Sequence, residues 1–138
     1  MSAAVFSDAW VSAWAAEING SGAFRAAGAR WESAFVFEME ADPALGIAAR
    51  RSVFVDLSHG ECRAGRAATP EDAERAAYVL RAPAAVWKQV LTGELEPVGA
   101  LMIGLMDLSR GSLASLAPHV SAAKELLAAA SRLEADWD

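Results

Sequence analysis

The stretch "WESAFVFEMEADPALGIAARRSVFVDLSHGEC", residues 31–62, changes the hydrophobic period of the chain from about four to two. Trp31, Ser33, Phe35, Phe37 and Met39 fall on one face, and Glu32, Ala34, Val36, Glu38 and Glu40 on the other, which predicts a half-buried strand. Asp42-Pro43 and Gly46 mark a turn. Val53, Val55 and Leu57 then alternate with Ser52, Phe54 and Asp56 as a second strand, Ser58-His59-Gly60 reverses the chain, and "ECRAGRAA" (61–68) reads as a weaker third strand. Connections this short favour antiparallel hairpins over crossovers.

Upstream, Phe6, Trp10, Trp14 and Ile18 recur every four residues between Ser7-Asp8, a helix cap, and Asn19-Gly20, a stop signal. This is a helix with an aromatic stripe, in which Trp10 and Trp14 read as core anchors. "SGAFRAAGAR" (21–30) allows one or two further helical turns. Downstream, Thr69-Pro70-Glu71-Asp72 predicts a loop or a single turn before a fourth strand in "AAYVLRA" (76–82). Pro83 then starts a helix whose apolar face is Val86, Trp87, Val90 and Leu91, with Gly93 as its stop. Pro97 opens a short helix carried through Ile103, and Gly104 releases the chain into a fifth strand in which Met106 and Leu108 alternate with Asp107 and Ser109 up to Gly111. Residues 112–136 are helical in pattern, with Pro118 near an internal start and Val120, Ala123, Leu126, Leu127, Ala130 and Leu133 as a wide apolar stripe, so the chain is expected to end in helix. No repeat or linker divides residues 1–138, which predicts a single domain.

Composition narrows the function. The chain has 138 residues, is 54% hydrophobic with a mean hydropathy of +0.22, and carries a formal charge of −6 with a pI near 4.9. That acidity argues against a nucleic-acid partner, which requires clustered basic residues to neutralise phosphates. It also disfavours electrostatic docking on anionic bilayers, leaving at most transient membrane contact; Lys88 and Lys124 are the two lysines. Cys62 is the sole cysteine, so neither an internal disulfide nor a multi-cysteine zinc site is available, which fits a reducing cytoplasm. The first basic residue is Arg25, so the N-terminus lacks the charged region of a signal peptide, and the mature chain is expected to be the whole chain. No apolar run approaches the ~20 residues of a membrane span.

Catalytic and metal constellations are thin. His59-Gly-Glu-Cys62 gathers metal-capable side chains without a second ligand pair, where a hairpin turn is needed, so no metal and no cofactor are expected. Ser121-x-x-Lys124 lacks the companion motifs of a serine acyl-transfer site. Gly99-x-x-x-x-Gly104 lacks the Lys-Ser/Thr that grips phosphate, and Gly20-x-Gly22 follows no strand. For acid–base work the candidates are Asp56, Glu38, Glu40, Asp107, His59 and His119, of which Asp56 belongs on the solvent face of its strand and has no paired partner.

The run "VWKQVLTGELEPVGALMIGLMDLSRG" (86–111) resembles the sterol carrier protein type 2 family of lipid-transfer domains. The resemblance is carried by Trp87, Thr92-Gly93-Glu94, Pro97, Ala100 and Gly104 followed by a short alternating strand, and it extends from Trp31 onward. Two departures stand out: Arg110 precedes Gly111-Ser112 after the last strand, and "SHGEC" replaces an Asp-Gly turn. The resemblance implies an α+β fold with about five mostly antiparallel strands covered on one face by helices, and an apolar tunnel between the two layers. It implies non-catalytic binding and transfer of a fatty acid, fatty acyl-CoA, sterol or similar lipid; the chain is expected to be a monomer or weak homodimer. Trp87, Met102, Met106 and Leu108 match the family's core segment as ligand contacts. Stripe and parity add Phe35, Phe37, Leu91, Leu101, Leu126 and Leu127. Two other readings stand beside this one. The first is a small cavity enzyme, an isomerase or cyclase on a hydrophobic ring substrate that would use Asp56 or His59, and the second is an oligomerising or regulatory module.

Overall fold

Ser7 and Ser21 each cap a helix with the side-chain oxygen, accepting from the backbone N–H of Trp10 and Phe24. In the computed structural model, which describes residues 3–137, these helices are α1 (Asp8–Asn19) and α2 (Gly22–Ala27), preceded by a two-residue strand β1 (Ala3–Ala4). The period-two stretch forms β2 (Glu32–Glu40), β3 (Arg51–Ser58) and β4 (Glu61–Ala67). Next come α3 (Pro70–Arg75), β5 (Tyr78–Pro83), α4 (Ala84–Leu91), α5 (Pro97–Met102) and β6 (Asp107–Arg110). The chain continues through α6 (Leu113–Leu116) and α7 (Val120–Ser131) to β7 (Ala135–Asp136).

Five strands form one sheet in the order β4-β3-β2-β5-β6. The hairpins β2–β3 and β3–β4 are antiparallel as their short turns require, and β6 runs antiparallel to β5. The exception is β5, which returns beside β2 in parallel, so the sheet is mixed. A parallel return needs a long connection, and the segment through β3, β4 and α3 supplies it.

On the front face Phe35, Phe37, Met39, Val53, Val55, Leu57 and Leu80 join the helix layer in one core with Trp10, Trp14, Trp87 and Leu126. The reverse face holds a smaller cluster, Val36, Ala76 and Val79, against which Phe54 and Ala73 pack. Three expectations change accordingly. The centre of β2 is covered on both sides, with Val36 fully buried and Glu38 6% exposed, and is not half-buried. Residues 70–75 form a capped helix in place of a loop or single turn, because Thr69 and Asp72 exchange side-chain bonds with each other's backbone N–H. Finally, the helical pattern of 112–136 is interrupted by a 3-10 turn, Ala117–His119, and gives way after Ser131 to β7, which pairs with β1 and so occupies backbone groups that a longer helix would have used.

Candidate functional site

Residue parity on three adjacent strands lays down an apolar row. Phe37 is paired with Leu80, and Leu80 with Leu108, so one side chain each from β2, β5 and β6 stands abreast on the front face. Phe35 lies two residues along β2, stacked on Phe37 with 5.2 Å between ring centroids. Above this floor α5 contributes Pro97, Val98 and Leu101, α6 contributes Leu116, and α7 contributes Ala123, Lys124, Leu126 and Leu127. Eleven of the twelve side chains around this cleft are apolar and the twelfth is Lys124. Its free volume is about 30 Å³, room for roughly two water molecules. The layers are in near contact.

Six of the ten side chains expected to meet a ligand come together here: Phe35, Phe37, Leu101, Leu108, Leu126 and Leu127. The other four lie elsewhere. Trp87 is fully buried behind Phe37, with ring centroids 5.9 Å apart, and its indole N–H donates to the Glu38 carbonyl at 2.9 Å, so it supports the floor from within the core. Leu91 borders a separate concavity of about 410 Å³ beside Trp10, Leu133 and Trp137. Met106 is buried beside Pro83, facing a third hollow that includes Arg81. Met102 is 72% exposed and does not line the cleft, because the last turn of α5 points it outward beside the equally exposed Ile103. Leu80, Pro97, Val98, Leu116, Ala123 and Lys124 join the lining without being among the expected ligand contacts. The alternation in "YVLRA" puts Leu80 in phase with Tyr78, and the i, i+3 spacing of Val98 and Leu101 marks one face of α5. Leu116 sits in a four-residue helix too short to show a period.

The titratable candidates lie off the cleft. Glu38 has the opposite parity to Phe37 and faces the reverse side, where Arg50 and Arg81 each approach it at 3.3 Å and Ser52 at 3.4 Å. Asp56 shares that side and is paired with Arg63 at 3.2 Å. Glu40 and Asp107 are exposed. His59 sits in the β3–β4 turn against the Ala29 carbonyl at 3.2 Å, and His119 stacks on Trp31 with centroids 5.1 Å apart. Burial pushes the Cys62 thiol up to about 11, and its sulfur donates to the Ala64 carbonyl. Among the described residues no three His, Cys, Asp or Glu side chains are grouped to hold a metal ion, and no helix is long and apolar enough to cross a membrane.

No family model matches the sequence, and no curated protein matches it. Solved structures do. A crystal structure of sterol carrier protein 2 is 39% identical over 94% of this chain and 98% of its own, with a TM-score of 0.85. A conserved hypothetical protein from Thermus thermophilus, described as possibly a sterol carrier protein, is 37% identical over 100% of this chain and 96% of its own, again at 0.85. The apo form of sterol carrier protein 2 from Yarrowia lipolytica shares the fold at 15% identity and a TM-score of 0.57, over 88% of this chain and 89% of its own. With more than a third of its residues identical to a sterol carrier protein 2 along nearly the full length of both, this chain belongs to the sterol carrier protein 2 family.

Proposed function

We propose that this chain binds a hydrophobic ligand, a fatty acid, fatty acyl-CoA, sterol or similar lipid, in the cleft between sheet and helices, and transfers it without covalent chemistry. The observation that carries this reading is the cleft lining, apolar but for Lys124 and built from both layers. Each buried methylene gains about 0.8 kcal/mol relative to water, whether its destination is a bilayer or a protein interior. The two destinations nearly cancel, so an acyl chain moves between them at little net cost.

A free volume of about 30 Å³ admits no acyl chain, so loading requires the layers to part. The better lid is α5. Ala100 is its one fully buried residue, and Gly104, at φ +82°, ends it in a conformation that glycine adopts without strain. By contrast α7 buries Ala122, Leu126, Leu127, Ala129 and Ala130 and accepts the Trp14 indole N–H at the Leu126 carbonyl. A crosslink between α5 and the sheet should therefore block exchange, and unchanged exchange would exclude the lid. The enzyme reading loses ground because Asp56 and His59, which it needs at the substrate, lie away from the cleft. The reading extends to a single cytoplasmic domain over residues 1–138 that meets membranes only transiently.

Native mass spectrometry with solvent extraction tests the function directly. A stoichiometric apolar compound, or displacement of a fluorescent fatty acid by unlabelled laurate, is expected. A ligand-free protein that takes up no fatty acid would overturn the reading.

A further inference from the structure

Lys124 is an anomaly in its setting. It projects from α7 into the border of a cleft whose other eleven lining side chains are apolar, and it is exposed to solvent there. Among the described residues its side chain makes no ion pair, hydrogen bond or ring contact, although acidic residues outnumber basic ones 18 to 12 in the chain. The other lysine, Lys88, lies over the Trp137 ring at 5.7 Å. Glu96, at the start of α5 in the roof, uses both carboxylate oxygens to accept the backbone N–H groups of Val98 and Gly99, at 3.2 and 2.7 Å. An ammonium group on a long flexible stem, free of any carboxylate partner and beside an apolar slot, matches an amphiphile whose tail enters the slot and whose anionic head stays at the rim.

Resting on the carrier reading above, we infer that Lys124 determines ligand class by pairing with an anionic headgroup, carboxylate or phosphate, at the mouth of the cleft. The preferred cargo is then a single-chain lipid anion, and a neutral sterol or alcohol gains nothing from this position.

The experiment compares laurate, dodecyl phosphate and dodecanol, three twelve-carbon chains with different heads, on the wild-type chain and on Lys124→Met, Lys124→Arg and Lys88→Met. Affinity for the anions should fall about two- to five-fold in Lys124→Met, the range of an exposed ion pair, and return in Lys124→Arg. Dodecanol should bind Lys124→Met as it binds the wild type. Lys88→Met removes the same charge away from the cleft and should leave all three unchanged. The anion preference should also shrink with added salt, since such a pair is screened. The larger of the two anion losses names the headgroup. Equal losses for laurate and dodecanol, or no loss for either anion, would overturn the inference while leaving the carrier intact. Failure of all three chains to bind the wild type would instead overturn the carrier reading, and the role of Lys124 with it.

Discussion

Trp10, Trp14 and Trp87 are each at most 1% exposed in one aromatic assembly, yet their indole N–H groups have different fates. Trp14 donates to the Leu126 carbonyl and Trp87 to the Glu38 carbonyl, both at 2.9 Å, whereas Trp10 Nε1 is buried without a partner among the described residues. Replacement by phenylalanine removes similar volume at each site but a hydrogen bond at only two. Trp14→Phe and Trp87→Phe should therefore lose about 1 kcal/mol more stability than Trp10→Phe, a difference that urea unfolding measures. This distinction was not legible in the sequence, where the three rings look alike on their helical stripes. The two methionines give the same lesson. Met102 and Met106 are four residues apart and equally apolar, but Gly104 between them turns the chain, so one is 72% exposed and the other 2%.

At the scale of elements, β4 and α1 meet closely at Gly65. A Cβ there would lie 2.9 Å from Ala15 Cβ and 3.0 Å from the Val11 carbonyl oxygen, which α1 holds in place. Gly65→Ala should cost about 1–3 kcal/mol by forcing the helix off the strand, visible as a lowered Tm, with the cleft lining unaltered. Strands and helices were largely readable from period and caps: the alternation of Phe35, Phe37, Val53, Val55 and Leu57 located β2 and β3, and Ser7 and Gly20 bounded α1. What sequence did not convey was partnership between elements. The parallel docking of β5 on β2 and the covering of Val36 by α3 depend on contacts between segments with no local signature, and the β1–β7 pairing joins residues more than a hundred positions apart. The cleft inherited that limit, since parity supplied Phe35 and Phe37 and the resemblance Leu108, but neither could say that Trp87 would lie behind the floor.

At the scale of the molecule, the cleft and the exposed apolar tip belong to one device in the proposed function. Met102 and Ile103 are 72% and 71% exposed at the end of α5, the roof element suited to move. Changing both to serine should leave equilibrium affinity for laurate in solution unaltered, because neither side chain lines the cleft. Pick-up from phosphatidylcholine vesicles should slow about tenfold or more, since burying an isoleucine in a bilayer gains roughly 1.5–3 kcal/mol. Stopped-flow transfer of a fluorescent fatty acid reads both quantities, and equal rates would separate the tip from loading. The parallel seam between β2 and β5 has a further effect, on the order of folding. Phe35 and Tyr78 face each other across 43 positions of sequence, so the seam closes only after a large loop is ordered, and such non-local pairing delays folding. The Phe37–Leu80–Leu108 floor does not exist until that seam closes. A bound lipid should thus act late on the folding path, slowing unfolding while leaving the refolding rate unchanged.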